Sequence, residues 1–422
     1  MRHLLIGFAI IGTVCGGTAG MAQEPKTNGE GGLLLFDARP LAEAKRGLAA
    51  GDKALQPALD RLIAEADDAL DDGPFSVTDK TVDPPSGDRH DYMSRAPYWW
   101  PDPKKKDGLP YVRKDGEVNP ESRGDASDSP RMSRMVGTAN ALALAYHFTG
   151  DEKYAARAAL LLRTWFLDPK TRMNPHLEYG QAIPGRVTGR GVGIIDTARL
   201  TNVPDAAILI EPSRAWTDAD HAGLKAWFAA YLKWLRTSRH GRDESRAANN
   251  HGTWYDVQVA CFALFAGERD VAKQVLAQAG AKRITPQVQP DGRQPHELAR
   301  TRSFSYSVYN LSAMFDLARL GEHVGVDLWR LPSKDRPLIR AALDYLARYA
   351  DPEREWPHKQ IGELDRTRLL PFLHRAARAW DAAAYRKLIE TLPADQVRAR
   401  RCRLLWPLPN AEKPANSLEP RG

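Results

Sequence analysis

The chain has 422 residues, 43% hydrophobic and 27% charged, which is ordinary for a soluble globular protein and enough to bury one large core or two. A net charge of +7 with pI ≈ 9.2 admits nucleic acid, an anionic membrane or an acidic polymer as partner. The basic residues are scattered rather than gathered in one block, so a nucleic-acid partner is not expected.

In chain order, residues 1–22 read as a secretory signal. Arg2 and His3 start it, Leu4 to Cys15 is apolar but too short to span a bilayer, and Gly20-Met21-Ala22 offers small residues for cleavage after Ala22. The expected location is periplasmic or secreted, with no membrane span in the mature chain. Residues 23–32 are polar and Gly-rich, a linker. Helical periodicity then predicts segments at about 40–50, 54–71, 131–149, 152–166, 217–238, 251–266, 269–280, 297–319, 335–350, 366–381 and 383–391. Two pairs are alike: an apolar helix ends at Gly150 or Gly267, and an Ala-containing helix follows. Residues 84–130 and 167–216 are long, irregular and rich in Pro, Gly, Asp and Arg, and loops of that length in a compact domain are usually functional. Repeated hairpins with long loops predict an all-α fold, an incomplete (α/α) toroid with those loops at its mouth, as a single domain over 33–406. Residues 407–422 hold four prolines and are expected to be disordered. Cys261 lies in an apolar helical run and is expected to be a buried free thiol.

Two segments carry chemistry. Asn249-Asn250-His251-Gly252-Thr253-Trp254-Tyr255 supplies amides, an imidazole and aromatics; Arg300 to Tyr309 supplies guanidiniums and phenols. A uronic acid has a weakly acidic C5 proton beside its carboxylate, and its removal builds charge on the carboxylate oxygens. Donors and cations aimed at that carboxylate lower the barrier most. Asn250, His251 and Arg302 can donate there. Tyr309 can serve as acid, as base, or as both if nearby cations lower its pKa. If 297–319 is one helix, Arg302, Tyr306 and Tyr309 share a face, as do His251 and Tyr255 on the earlier helix. Tyr98-Trp99-Trp100 between prolines is a stiff aromatic loop for stacking sugars, with one ring expected in the core and one near the cleft. His176, Tyr179, Gln181, Arg190, Tyr255, Arg300 and Tyr306 are further substrate-binding candidates. Gly189-Arg190-Gly191-Val192-Gly193 lacks the glycine spacing and preceding strand of a phosphate loop. His296-Glu297 lacks a second zinc ligand, and no Gly-x-Ser-x-Gly elbow occurs. No cofactor and no metal are expected.

Three segments in this order, Ala96-Pro97-Tyr98-Trp99-Trp100-Pro101-Asp102-Pro103, Asn174 to Gly185 with Gly193-Ile194-Ile195-Asp196 behind it, and Asn249 to Tyr255 followed by Arg302 and Tyr309, resemble the alginate lyase family of polysaccharide lyases. The likeness covers roughly residues 85–345. It implies an α/α toroid in which Asn250, His251 and Arg302 cradle a uronate carboxylate and Tyr309 is the acid, often also the base, with His251 the next choice of base. It implies β-elimination on a β-1,4-linked polyuronate, alginate, polymannuronate or glucuronan. In mannuronate and glucuronate chains the C5 proton and leaving O4 share one side of the ring, which suits a single tyrosine; guluronate needs two groups. Two other classes stand beside this one. A glycoside hydrolase would need two carboxylates flanking the bond, with Asp243, Glu244, Asp256 and Glu297 as candidates. A non-catalytic protein would bind polyuronate without cleaving it.

Overall fold

The computed structural model describes residues 32–332 and 336–409, so the signal segment, the linker up to residue 31 and the tail from residue 410 lie outside the described residues. Helices α1 (Ala38–Ala49) and α2 (Gln56–Asp68) come first, followed by the short strands β1 (Met93–Arg95), β2 (Trp99–Trp100) and β3 (Val112–Arg113). Then come α3 (Asp128–Thr149), α4 (Glu152–Phe166), β4 (Tyr179–Ala182), a 3₁₀ stretch over Gly191–Asn202, α5 (Val203–Ile210), α6 (Asp218–Thr237) and α7 (Arg239–Glu244). Helices α8 (Asn250–Ala266) and α9 (Arg269–Ala279) precede a π-helical turn, Gly280–Ile284, and the short α10 (Thr285–Gln287) and α11 (Pro295–Leu298). The chain continues through α12 (Ser303–Glu322), α13 (Leu338–Ala347), α14 (Leu370–Ala379), α15 (Ala382–Glu390), α16 (Ala394–Val397) and α17 (Cys402–Leu405).

These helices form an α/α toroid. Its two layers follow from burial. The inner helix α8 buries 14 of its 17 residues, whereas α9, its outer partner, buries only Ala272, Leu276 and Ala279. A helix apolar all round belongs inside, and one with a single apolar stripe belongs outside. The α3–α4 and α8–α9 hairpins turn at Gly150 and Gly267, both left-handed with φ of 74° and 86°, so the repeat read from the sequence is real. Helix α8 packs against α6, α9 and α12, and one continuous core runs through the described residues. Cys261 and Cys402 are buried free thiols.

Two expectations are corrected. The segment 297–319 is not one helix: α11 ends at Leu298, and α12 starts only at Ser303. The backbone between them is held from outside, Ile361 N–H donating to Thr301 O at 2.8 Å and Ser303 N–H to Lys359 O at 3.1 Å, which competes with helical bonding. Residues 167–216 are not a plain loop either, since they contain β4, the 3₁₀ stretch and α5. Strand β4 pairs in parallel with β1, and β2 with β3 as an antiparallel hairpin. Residues of both two-stranded units line the cavity described next.

Candidate active site

A cavity of about 1020 Å³ opens between the N-termini of α8 and α12, the 3₁₀ stretch and the β2–β3 hairpin. Asn250, His251, Arg302 and Tyr309 all line it, together with Tyr98, Trp99, Gln181, Arg190, Arg300 and Tyr306.

The α8 side is built on a buried frame. Arg283, carried on the π-helical turn, pairs with Asp256 at 2.7 Å and donates to Ala247 O and Ser245 O, each at 2.8 Å. This fixes the loop leading into α8. Gly252 is required there, because a Cβ would lie 2.0 Å from Ala247 O and 2.3 Å from the Arg283 guanidinium. Asn249 caps the helix, its Oδ1 accepting from His251 N at 3.3 Å. Asn250 is buried, and it donates its backbone N–H and one side-chain N–H to the two oxygens of Glu297, both at 2.8 Å. Burial raises the Glu297 pKa against those bonds. A second Asn250 side-chain N–H is left over. His251 Nδ1 lies 2.7 Å from Oε1 of buried Glu244, so Nε2 is its free ring nitrogen. With Nδ1–H donating to Glu244, Nε2 offers a lone pair when the ring is neutral and an N–H when it is protonated.

The α12 side presents Tyr309 and Tyr306. The residue after Tyr309, Asn310, faces the other way and donates to Gln287 and Gln294 at 3.1 and 2.9 Å, while Gln287 donates to Thr253 of α8 at 3.0 Å. That buried amide network ties α12 to α8 and sets the rotation of Tyr309. Its ring packs on Trp254, centroids 5.0 Å apart. Burial pushes the Tyr309 phenol up; Arg199 and, more weakly, Arg368 pull it back. Arg302 sits just before α12, and its Nε is buried without a partner among the described residues.

Arg300 is committed differently. It donates to Asp115 at 2.8 Å and to Tyr306 Oη at 2.8 Å and stacks 3.8 Å over the Tyr306 ring, and Tyr306 in turn donates to Tyr98 Oη at 2.7 Å. Asp115 also accepts from Thr301, so the β2–β3 hairpin is latched to the approach of α12. Burial pushes the Asp115 carboxyl up, but the Arg300 and Thr301 bonds outweigh it and hold it at about 2.

On the facing wall, Asp196 accepts from Tyr92, Ser94 and Gln181 at 3.1, 2.6 and 2.9 Å. Gln181, at a left-handed φ of 52°, accepts from Arg190 through Oε1 at 2.8 Å. Its amide stands between the Asp196 carboxylate and the Arg190 guanidinium, and Arg190 makes no direct ion pair among the described residues. Burial draws Arg190 down to about 10, still cationic at neutral pH. Gly189 and Gly193 serve close packing on β4 rather than phosphate: Cβ atoms there would lie 1.8 Å from Glu178 O and 2.4 Å from Gly180 O.

The model of the alginate lyase family matches residues 76–356 and so contains all four central residues. A crystal structure of an alginate lyase from Bacteroides ovatus is 42% identical, covering 89% of this chain and 99% of that one, with a TM-score of 0.84. The chain belongs to the alginate lyase family. It is a polysaccharide lyase. Alginate lyase A1-III from Sphingomonas species A1, at 17% identity over 89% of this chain and 98% of that one, shares the fold with a TM-score of 0.53. A tyrosine-to-phenylalanine variant of A1-III, crystallised with a tetrasaccharide, matches at 16% identity over 87% of this chain and 94% of that one, with a TM-score of 0.54. No curated protein gives a significant match.

Within this alginate lyase family chain, four predicted substrate-binding residues lie outside the cavity lining. Tyr255 is buried and donates to Leu235 O at 2.9 Å, because α8 is enclosed on every side and the next turn already faces α6. His176 pairs with Asp91 at 2.9 Å. Tyr179 sits at the β1–β4 pairing edge, opposite Met93. Trp100 turns away from Trp99, as successive strand residues must, and donates to Glu117 O at 3.0 Å beneath Lys114. Neither Trp99 nor Trp100 is in the core; Trp99 lines the cavity with Arg186 over its ring. The hydrolase carboxylates are spoken for: Glu244 holds His251, Asp256 holds Arg283, Glu297 holds Asn250, and Asp243 is half-exposed beside Arg239 and Arg246. Sequence reading missed Asp115, Arg199 and Arg368 as site residues. Asp196 was visible in the motif behind Gly193 but had no role assigned.

Proposed function

We propose that the enzyme cleaves a β-1,4-linked polyuronate, alginate or polymannuronate or glucuronan, by β-elimination and leaves an unsaturated uronate end. The observation that carries this reading is the meeting of Asn250, His251, Arg302 and Tyr309 on one cavity, beside a hydrogen-bonded imidazole and an unpaired guanidinium. Arg302 and the spare Asn250 N–H neutralise the carboxylate of the reacting sugar, which stabilises the charge that develops when C5 loses its proton. Tyr309, held protonated by burial, gives its proton to the glycosidic oxygen. In a mannuronate or glucuronate chain the phenolate form of Tyr309 first takes the C5 proton, and the phenol so formed passes that proton to the glycosidic oxygen; in a guluronate chain His251, oriented by Glu244, takes the C5 proton and Tyr309 starts as the phenol.

A panel of polymannuronate, polyguluronate and glucuronan, followed by ultraviolet absorbance of the unsaturated product, tests this. Absorbance on the first or third substrate fits both proton transfers at Tyr309, and absorbance on polyguluronate calls for His251 as well. New reducing ends without absorbance on any of them would mean hydrolysis and overturn the reading. When Tyr309 is both base and acid, kcat/KM on polymannuronate climbs by about tenfold per pH unit on the neutral-to-alkaline side, because the raised pKa leaves little phenolate at neutral pH. A flat profile there removes the base role from Tyr309. Secretion by the segment 1–22 belongs to the same proposal and is tested by fractionating cells that express the full chain.

A further inference from the structure

Seven arginines line the cavity: Arg113, Arg123, Arg190, Arg199, Arg300, Arg302 and Arg368. Three are occupied. Arg113 and Arg300 share Asp115 at 2.7 and 2.8 Å, and Arg190 is bonded to Gln181. Arg302 belongs to the reacting centre. Arg123 is exposed, as Arg199 and Arg368 are, but it is not among the charges that bear on Tyr309. Arg199 and Arg368 remain. They come from elements far apart in sequence, the 3₁₀ stretch Gly191–Asn202 and the turn Arg366–Leu369, yet they line the same cavity as Tyr309. Neither guanidinium has an ion-pair or hydrogen-bond partner among the described residues. Each acts electrostatically on the Tyr309 phenol; Asp365 attracts Arg368 from beyond ion-pair distance, and Arg199 repels it. Arg368 also lies beyond the residues that the family model matches.

Both side chains are exposed to solvent, so neither needs a buried partner; two cations that repel each other on the wall of one cavity instead make a positive patch that draws in an anion. We propose that Arg199 and Arg368 form a second carboxylate clamp, which holds the uronate next to the one that loses its proton. The inference rests on the polyuronate reading above and adds a subsite to it. A polyuronate carries one carboxylate on every sugar. The reacting carboxylate is met by Arg302 and Asn250, and a cavity of about 1020 Å³ exceeds what a single sugar ring fills. The adjoining ring therefore brings a second carboxylate into the cavity. Tyr309 protonates the oxygen that joins the two rings, so the guanidiniums beside Tyr309 flank the neighbouring sugar. A guanidinium pair suits a carboxylate because its N–H groups match the two oxygens.

The test uses Arg199→Gln, Arg368→Gln and the double variant of the full enzyme on polymannuronate. Each single variant should raise KM by about tenfold, and the double variant by more, while kcat stays within about threefold. The Kd of a saturated tetramannuronate, measured in a Tyr309→Phe background where no turnover occurs, should rise in parallel. Arg368→Lys should recover part of the loss, since charge is kept and the fork is not. An unchanged KM and Kd in the double variant overturns the clamp. So does a fall in kcat with KM unmoved, because the arginines would then serve the phenol and not the substrate. The reading beneath it fails separately, if the unaltered enzyme yields no unsaturated product from any polyuronate. A double variant that does not fold leaves the single variants and their Kd values to decide in the same way.

Discussion

Two regions a few ångströms apart treat charge in opposite ways. Behind the start of α8, Arg283, Asp256, Glu297 and Asn250 are buried, and each is bonded to a fixed partner. On the cavity face, Arg302, Arg199 and Arg368 carry charge with no carboxylate at ion-pair distance among the described residues, although Asp365 acts on Arg368 from farther off. The contrast recurs two residues apart in one segment, where Arg300 is locked to Asp115 and Tyr306 while Arg302 is left open. Satisfied charge builds architecture, and unsatisfied charge waits for an anion. The same residue type therefore has two meanings, and the partner list decides between them.

The largest effect expected is at Tyr309, where the two regions meet. Tyr309→Phe removes one oxygen and keeps the ring contact with Trp254, so thermal unfolding should be unchanged while product formation drops on the order of a thousandfold. Activity within about tenfold of the unaltered enzyme would move the proton transfer to Tyr306 or His251. The buried frame should break in the opposite manner. Asp256→Ala strands the Arg283 guanidinium in the core, and the loss of one partner of such a pair costs about 3–5 kcal/mol. Chemical denaturation should show that loss; a variant as stable as the parent would mean that the pair is not part of the frame. Asn250→Ala and His251→Ala sit on the border and should each lower kcat/KM by about a hundredfold, as lost donors at a developing oxyanion do. Asn250→Ala should also lower stability, because Glu297 then keeps only the backbone bond.

Much of this was legible in the sequence where the information is local. The helix-capping Asn249, the pair Asn250-His251 and the glycine-terminated hairpins depend on neighbours in the chain, and reading them required no tertiary contact. Tyr255 misled because i, i+4 spacing places two residues on one side of a helix only to within part of a turn, and α8 is enclosed on all sides. Arg302 reached the cavity for a reason other than the helical face expected of it. The helix that would have aligned it with Tyr306 begins one residue later, and the strand-like contact with residues 359–361 sets its place instead. Arg199, Arg368 and Asp115 could not be read at all. Their meaning lies in which long-range partner they have or lack, and that is a property of the closed toroid.

The smallest effect sharpens the comparison most, because it turns a locked arginine into an open one. Asp115→Asn would free Arg300 from its ion pair and loosen the β2–β3 hairpin that carries Tyr98 and Trp99 to the cavity. Both partners are partly exposed, so the pair is screened and the change in KM should be no more than about tenfold, with kcat nearly constant. The sign of the pH dependence follows from the depressed pKa. A carboxylate held at about 2, below its ordinary 3.8, lends its latch fully above the ordinary value and loses it as pH falls toward 2. The KM ratio of variant to parent should accordingly be flat from neutral pH down to about 4 and shrink toward one below that. Taking the ratio removes the titration of every other group the two proteins share. A ratio that stays constant through the acid range would mean that Asp115 holds the hairpin by shape alone, and that its charge is as free as that of Arg302.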